Sequence, residues 1–413
     1  MTNLTITTET DSDWIGDIPE NWSLEKLKYI FSEKKSTSNS DLQCGSISFG
    51  KVIYKDDDKV PDSTKQSYQE VLEGEFLINP LNLNFDLKSL RIGLSKISVV
   101  VSQGYIVLKI NDGYLPSYYE YLLRKFDVEH MKSLGQGVRQ TISFTHIKDE
   151  RLVVPPTEEQ ERISRYLDKK TQQIESLIEK IQKKIVLLKE QRTSLINQCV
   201  TKGLDPNVEM KDSGVEWIGE IPKHWEVKKL KYVSTQISKK RTPVDGHIKI
   251  SPENVESSTG RITNFFSDYD TEGQVFQCGD ILFNKLRVYL KKVILCDFEG
   301  LSMGEMIVIR PSTISNVFLH RVLNSDGFIN HVNSLSEGVK LPRPSVSKIF
   351  DSYVPVPPTN DQLDISTLIE QKTKLIDHVI DRYINRIDLT NEYRQSLISS
   401  VVTGKVRVTE DMV

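Results

Sequence analysis

The sequence predicts an α+β protein in which two strand-rich domains are separated by a pair of long antiparallel coiled-coil helices, arranged as a pseudo-two-fold internal repeat. Three observations lead to this fold class. Distinctive segments recur about 200 residues apart, short β-branched runs bounded by turn residues fill each half, and a heptad pattern closes each half. At 413 residues, with 38% hydrophobic and 27% charged residues, the chain is long enough for two to four globular domains.

Two pairs of matching segments establish the repeat. Residues 14–22 (WIGDIPENW) return as residues 217–225 (WIGEIPKHW), and residues 154–160 (VPPTEEQ) return as residues 356–362 (VPPTNDQ). The offsets of 203 and 202 residues enclose spans of nearly equal length whose interiors differ. A shared scaffold that carries two diverged inserts explains both facts.

Each half opens on its tryptophan-rich segment, and we expect the two tryptophans to fill the start of a domain core. Strands are expected where β-branched and aromatic residues stand between turn residues. The expected strands are residues 75–78, 97–101 and 105–110 in the first half, and residues 280–283, 292–295 and 306–309 in the second. Short helices are expected at residues 118–126 and 316–323.

A long helix closes each half. Thr157 and Thr359 each follow two prolines and precede a Gln by three residues, which fits a capping box, and Gly203 and Gly404 mark the expected helix ends. Apolar residues between these points recur at alternating steps of three and four, as in a coiled coil. The predicted seam, which is also the candidate partner interface, comprises Leu167, Ile174, Ile178, Ile181, Ile185 and Leu188 in the first helix and Ile369, Ile376, Ile380, Tyr383, Ile387 and Leu397 in the second.

Connectivity predicts the direction of helix pairing. The first helix carries the chain away from domain one, so a second helix that packs along it must run back. The predicted boundaries are 1–155 for the first domain, 156–203 for the first long helix, 204–355 for a linker with the second domain, and 356–413 for the second long helix with its tail. Arg192 and Arg394 interrupt the seam at matched positions. They either set its register by pairing with acidic residues or extend their charged ends to water.

The sequence favours recognition over catalysis. It has no Gly-rich loop for a dinucleotide or S-adenosylmethionine, no Walker loop and no His spacing typical of a metal site, so we predict neither catalytic residues nor a metal site. Amide- and cation-rich loops recur at equivalent places in both halves, and such side chains contact bases and phosphates. A net charge of −3 argues against phosphate binding over the whole surface but permits local basic patches. The candidate DNA-binding residues are Lys88, Arg91, Gln136, Arg139 and Gln140 in the first half and Lys239, Lys240, Arg241, Asn284, Lys285, Arg287, Tyr289, Lys291, Lys340 and Arg343 in the second.

The doubled tryptophan segments, the Gly-Asp-Ile-Leu strand at residues 279–282 with its counterpart at 74–77, and the two VPPT-x-x-Q helix starts resemble the specificity subunit of type I restriction-modification systems over nearly the whole chain. The resemblance implies two target-recognition domains that each read one half of a split double-stranded DNA sequence. It also implies that the helices set the gap between the halves and bind two methyltransferase subunits. S-adenosylmethionine and adenine-N6 methylation would then belong to those partners, so this chain needs no cofactor, and a restriction and translocase subunit can complete the complex.

Two other classes of function stay open from the residues alone. A coiled-coil scaffold could bind proteins through its two domains, and an enzyme could use a site that no pattern reveals. The N-terminal residues are polar and no run of about 18 apolar residues occurs, which predicts a cytoplasmic protein.

Overall fold

A computed structural model of the chain describes residues 7–81, 90–134, 141–265, 271–338 and 341–413. The chain forms two compact units. The first comprises Met1–Ile181 with Asn385–Val413, and the second comprises Gln182–Ile384. Each unit therefore contains one strand-rich domain together with one segment of each long helix.

The first unit is built around an antiparallel four-stranded sheet. The strands of the whole unit are β1 Thr7–Thr8, β2 Ile18–Pro19, β3 Ser23–Lys26, β4 Phe31–Glu33, β5 Gly45–Ser48, β6 Lys51–Tyr54, β7 Gln69–Val71, β8 Phe76–Ile78, β9 Ile92–Leu94, β10 Val99–Val101, β11 Ile106–Ile110 and β12 Arg151–Val154. Its short helices are α1 Leu27–Ile30, α2 Asp62–Lys65, α3 Pro116–Glu129 and α4 Phe144–Ile147. The central sheet has the order β4-β11-β8-β9. Helix α3 contributes Tyr118 and Tyr119 to its core, where the Tyr119 ring meets Phe31 edge-on at 5.5 Å.

The second unit repeats this plan. Its strands are β13 Met210–Asp212, β14 Glu220–Pro222, β15 Glu226–Lys229, β16 Ser234–Ile237, β17 Lys240–Arg241, β18 Lys249–Ile250, β19 Gly273–Phe276, β20 Ile281–Asn284, β21 Val293–Leu295, β22 Gly300–Ser302, β23 Met306–Pro311 and β24 Tyr353–Val356. The central sheet, β16-β23-β20-β21, has the same order as its counterpart in the first unit. Its helices are α6 Asn316–Leu323, α7 Asp326–Ser334 and α8 Val346–Asp351. The strands and short helices expected from the sequence are all present, with ends that differ by a few residues.

The two units differ outside the central sheet. In the first unit, β5 and β6 form a hairpin and β7 pairs with β10. In the second unit, a four-stranded sheet of order β17-β19-β22-β18 takes this place and contains one parallel pair, β18 with β22. This difference falls within the spans that the sequence marks as divergent.

The long helices are α5, Thr157–Lys202, and α9, Thr359–Val402, of 46 and 44 residues. Within the second unit, Lys184 lies over the Tyr383 ring and Arg192 pairs with Asp377, so residue numbers fall along α9 as they rise along α5. The predicted antiparallel pairing is confirmed. The predicted seam positions are buried or half-buried along both helices. No helix in the described parts of the chain is both long and apolar enough to cross a membrane.

The seam arginines form ion pairs with the opposite helix. Arg192 Nε lies 3.0 Å from Asp377 Oδ1 in the second unit, and Arg394 Nη1 lies 3.9 Å from Glu175 Oε1 in the first. Glu175 and Asp377 occupy equivalent repeat positions, as the two arginines do. Of the two alternatives left open by the sequence, pairing with acidic residues describes both arginines.

The capping-box prediction at the two helix starts is wrong. The Gln160 side chain accepts a hydrogen bond from the Leu115 amide at 3.0 Å and donates one to the Pro155 carbonyl at 2.9 Å. Gln362 does the same with the Ser315 amide and the Pro357 carbonyl, both at 2.7 Å. These glutamines are buried and join the start of each long helix to the start of a short helix in its own domain, α3 or α6. The backbone amides before α3 and α6 need hydrogen-bond acceptors, whereas water can satisfy the first turn of the long helix.

Gly203 and Gly404 follow the helix ends with φ of +73° and +76°, as predicted for terminating glycines. A Cβ at Gly404 would lie 2.4 Å from Pro19 Cδ, and one at Gly203 would lie 3.2 Å from the Trp225 ring. Each glycine thus lets a helix end pack on a tryptophan segment.

Candidate nucleic-acid interface

In the second unit, two loops that the sequence analysis selected separately lie together. The Arg287 amide donates to the Pro342 carbonyl at 3.1 Å, which joins the loop after β20 to the loop before α8. Glu305 then connects two of the candidate cations, because its carboxylate oxygens lie 2.6 Å from Lys285 Nζ and 2.5 Å from Arg343 Nη1. The result is a continuous surface that carries cations from both loops.

Glu305 is an anion within this basic surface. Burial acts to raise its pKa, but the hydrogen bond from Lys285 and the charges of Lys285 and Arg343 outweigh burial and hold the pKa of Glu305 below its usual value. A charged Glu305 orders both cations before any ligand arrives. Such ordering reduces the conformational entropy lost when the side chains contact a ligand.

The loop after β20 has an unusual backbone. Asn284 is buried and closes its start, with its side chain accepting from the Leu286 amide at 3.1 Å and donating to the Leu286 carbonyl at 2.7 Å. Arg287 and Lys291 then adopt left-handed conformations, with φ of +52° and +50°, on either side of a 3₁₀ turn, Val288–Leu290. Val288 anchors the turn in the core, while Tyr289 remains 52% exposed at its crest.

Lys291 has a more internal position than the other candidates in this loop. Its ammonium pairs with Asp326 at the start of α7, and burial lowers the pKa of Lys291. The Asp326 amide in turn donates to Asn197 of α5 at 2.9 Å. Lys291 therefore fastens the loop to the helices, and a contact between Lys291 and DNA stays a prediction.

The cluster Lys239, Lys240 and Arg241 lies on and before the edge strand β17, and all three side chains are exposed. Lys240 and Arg241 pair with Gln274 and Gly273 of β19. An exposed basic edge strand is suited to contact with a phosphate backbone. It also prevents pairing with the strands of other chains.

The first unit places its corresponding loops together in the same way. The Asn79 amide donates to the Arg91 carbonyl at 2.9 Å, as the Asn284 amide does to the Lys292 carbonyl at 3.1 Å. The Ile142 amide donates to the Pro80 carbonyl at 3.2 Å, which joins the second loop to the first. The Arg91 guanidinium donates to the Leu81 carbonyl at 2.6 Å. Lys88, Gln136, Arg139, Gln140 and Lys340 lie outside the described residues.

Asp127 anchors the end of the loop in the first unit. This residue of α3 is fully buried, and one of its oxygens accepts hydrogen bonds from the amides of Arg91 and Ile92. Burial raises the pKa of Asp127 to about 6 although these two hydrogen bonds oppose the shift.

Sequence reasoning missed Glu305 and Asp127, because a single acid in a loop or on a helix carries no local pattern. It also missed the hairpin of β5 and β6. Its turn residues Phe49 and Gly50 lack the Asn-Gly or Asp-Gly signature that identifies such turns. The alternation of residues 45–54 was the one available signal.

Comparisons with known proteins agree with this architecture. A family model described as the type I restriction modification DNA specificity domain matches residues 19–187. The chain is 24% identical over 427 residues to the putative MjaX specificity subunit of Methanocaldococcus jannaschii, with 95% of this chain and 96% of the relative covered. It is also 23% identical over 310 residues to the EcoDI specificity subunit of Escherichia coli, with 69% of each covered. The chain is therefore similar to type I restriction-modification specificity subunits over nearly its whole length.

Solved structures show that the chain shares its fold with chains from type I restriction-modification systems. One matching chain comes from a structure of the type I R-M system that concerns complex assembly and conformational transition. It matches with a TM-score of 0.68 at 11% identity, covering 94% of this chain and 99% of that one. The HsdS subunit from Thermoanaerobacter tengcongensis matches with a TM-score of 0.51 at 12% identity, covering 94% and 98%.

Proposed function

We propose that this chain is a specificity subunit whose two strand-rich domains each read one half of a bipartite double-stranded DNA target, and that methylation is carried out by two partner subunits. The observation that carries this proposal is the recurrence of one loop pair in both units. The loop after β8 in the first unit and the loop after β20 in the second are each joined by a backbone hydrogen bond to a loop later in the same unit. The scaffold is the same and the side chains differ, as expected for two readers of different half-sites.

The chemistry of the loops fits this role. Lys285, Arg287 and Arg343 present donors that read guanine or hold phosphate, and Tyr289 can stack on a base or lie against a sugar. The ordering of Lys285 and Arg343 by Glu305 fixes where those donors point. On binding, phosphate or base acceptors replace part of the contact with Glu305, so an incorrect base leaves a buried donor without a partner.

The long helices offer surfaces for the partner subunits. The seam residues, which the sequence also offered as the partner interface, are buried or half-buried and leave little surface for a partner. Other apolar side chains of the helices are exposed, and they include Leu177, Val186, Leu187, Leu375, Leu389 and Tyr393. Exposed apolar surface of this kind is typical of protein contact sites. We assign these faces to two methyltransferase subunits that hold S-adenosylmethionine. A restriction and translocase subunit can complete this complex, and we assign the complex to the cytoplasm.

Reconstitution tests the proposal directly. We expect the purified chain alone to leave DNA unmethylated, and the chain with its methyltransferase subunit to methylate adenine-N6 within a split motif, which sequencing of modified bases detects. A methyltransferase without the chain is the control. Methylation by the isolated chain would contradict the proposal, as would methylation without any split motif, which a pure protein scaffold or a single-chain enzyme would give.

A further inference from the structure

The hairpin of β5 and β6 displays an aromatic side chain at a position that disfavours it. Ser48 pairs with Lys51, so Phe49 and Gly50 form a two-residue turn, and both have positive φ, +47° and +72°. Two-residue turns of this type favour Asn-Gly or Asp-Gly, because only small or short polar residues tolerate the first position. Phe49 instead holds a bulky ring there, 74% exposed.

Non-glycine residues with a left-handed backbone conformation lie at or beside the candidate interface. Across the described ranges they are Phe49, Ser258, Arg287 and Lys291. Arg287 and Lys291 lie in the loop after β20, and the Ser258 amide donates to Leu290 of that loop at 3.1 Å. Phe49 lies in the first unit, where its turn neighbour Gly50 contacts the end of the loop after β8. Strained backbone of this kind concentrates at functional sites.

The Phe49 turn packs against the end of the first unit's candidate DNA-binding loop. The Gly50 amide donates to the Leu90 carbonyl at 3.1 Å, and a Cβ at Gly93 would lie 2.4 Å from the Gly50 carbonyl oxygen. The hairpin tip is thus held directly beside Arg91. Lys51 is exposed directly after the turn and supplies a cation beside the ring, whereas acidic residues lie further along the hairpin at residues 56–58 and in the cavity behind it at Glu120, Asp168 and Glu175.

We propose that Phe49 is a specificity-determining residue that inserts its ring between neighbouring bases of the half-site read by the first unit. Apolar side chains that wedge into a base step partly unstack it and kink the duplex. The cost of that deformation depends on the sequence of the step, so the wedge discriminates between base steps that no hydrogen bond reads. This inference rests on the proposed function, because it takes the bipartite DNA target as the ligand.

The test uses the chain assembled with its methyltransferase subunits and a duplex that carries the motif methylated by the wild-type complex. The fluorescent base 2-aminopurine replaces successive bases of each half-site, since its emission rises when a base is unstacked. The variant Phe49→Asn removes the ring and supplies the residue that the turn favours, so we expect it to fold at least as stably as the wild type. Phe49→Tyr keeps a ring, and Tyr29→Asn removes another exposed aromatic residue of the same unit.

We expect wild type, Phe49→Tyr and Tyr29→Asn to raise the fluorescence at one step of one half-site. Phe49→Asn should abolish that signal, leave the other half-site unaffected, and weaken DNA binding by roughly 10- to 100-fold. Unchanged binding and fluorescence in Phe49→Asn would overturn the proposal. So would loss of methyltransferase assembly with unaltered DNA affinity, which marks a protein contact, or a lower unfolding temperature, which marks a structural role. If the wild-type complex methylates no split motif, the proposed function fails first and the wedge fails with it.

Discussion

In the candidate interface loops, individual residues adopt an unfavourable backbone conformation that keeps a side chain exposed. A left-handed conformation costs a residue with a Cβ about 1–2 kcal/mol relative to the right-handed region. Phe49 and Arg287 both adopt it, and backbone hydrogen bonds of their loops hold them in place. Local sequence preference fails at these positions because tertiary contacts determine the backbone there, which is typical of functional residues.

The buried carboxyl of Asp127 predicts a specific pH dependence of stability. Its pKa of about 6 in the folded chain lies above the ordinary value of 3.8, so the folded state binds this proton more tightly than the unfolded state. The free energy of unfolding of the first unit therefore falls as the pH rises from about 4 to about 6. Asp127→Asn keeps an oxygen that accepts from the amides of Arg91 and Ile92, and it does not titrate.

Urea unfolding of both proteins at pH 4 and pH 7 measures this effect. We expect the stability of the wild type relative to Asp127→Asn to decrease by about 1–3 kcal/mol between the two pH values. Parallel pH profiles for the two proteins would show that Asp127 titrates in the folded chain as it does in water. The second unit serves as an internal control, because its stability should respond equally in both proteins.

Among the elements, the long helices were the most predictable from the sequence and the loops the least. A heptad pattern sums weak preferences over more than forty positions, so the seam and the ends at Gly203 and Gly404 followed from the residues. The role of Gln160 did not follow, since the capping box is a local pattern and its real partner, the Leu115 amide, is distant in the sequence. The hairpin at Phe49 was missed for the related reason that its turn lacks the preferred residues.

The ion pairs between the long helices predict how the spacer of the DNA target can be changed. The same number of residues separates Glu175 from Arg192 in α5 and Asp377 from Arg394 in α9. Removing one heptad from each interval, residues 182–188 and residues 381–387, keeps the two intervals equal. Deleting both heptads together retains the seam and the two ion pairs. It removes about 10 Å of helix at a rise of 1.5 Å per residue, which corresponds to roughly three base pairs.

We therefore expect the double deletion to methylate the same two half-sites with a spacer shorter by about three base pairs. Deleting residues 182–188 alone puts the helices out of register and should reduce assembly or activity instead. The measurement is sequencing of modified bases in DNA treated with each reconstituted complex. An unchanged spacer in the double deletion, or altered half-site bases, would contradict the role of the helices in spacing.

At the scale of the whole molecule, one chain contains the same reader scaffold twice. The repeat was visible in the sequence because the tryptophan segments and the helix starts are similar in both halves. These two segments contact each other within each unit, where Trp22 donates to Glu159 and Trp225 to Asp361, both at 2.9 Å. The role of each charged loop residue was less predictable, because an ion pair within the fold, as at Lys291, and a contact with DNA require the same residue types. Two readers with separate side chains imply that a change in one reader affects one half of the target.

The measurement that tests this claim most directly is the methylated motif of a complex whose second-unit loop is altered. In the variant Lys285→Gln with Arg287→Gln, both loop cations are replaced while Glu305 and the central sheet stay intact. We expect sequencing of modified bases to show relaxed base preference in one half of the motif and an unchanged sequence in the other half. Equal relaxation of both halves would contradict the assignment of one half-site to each domain.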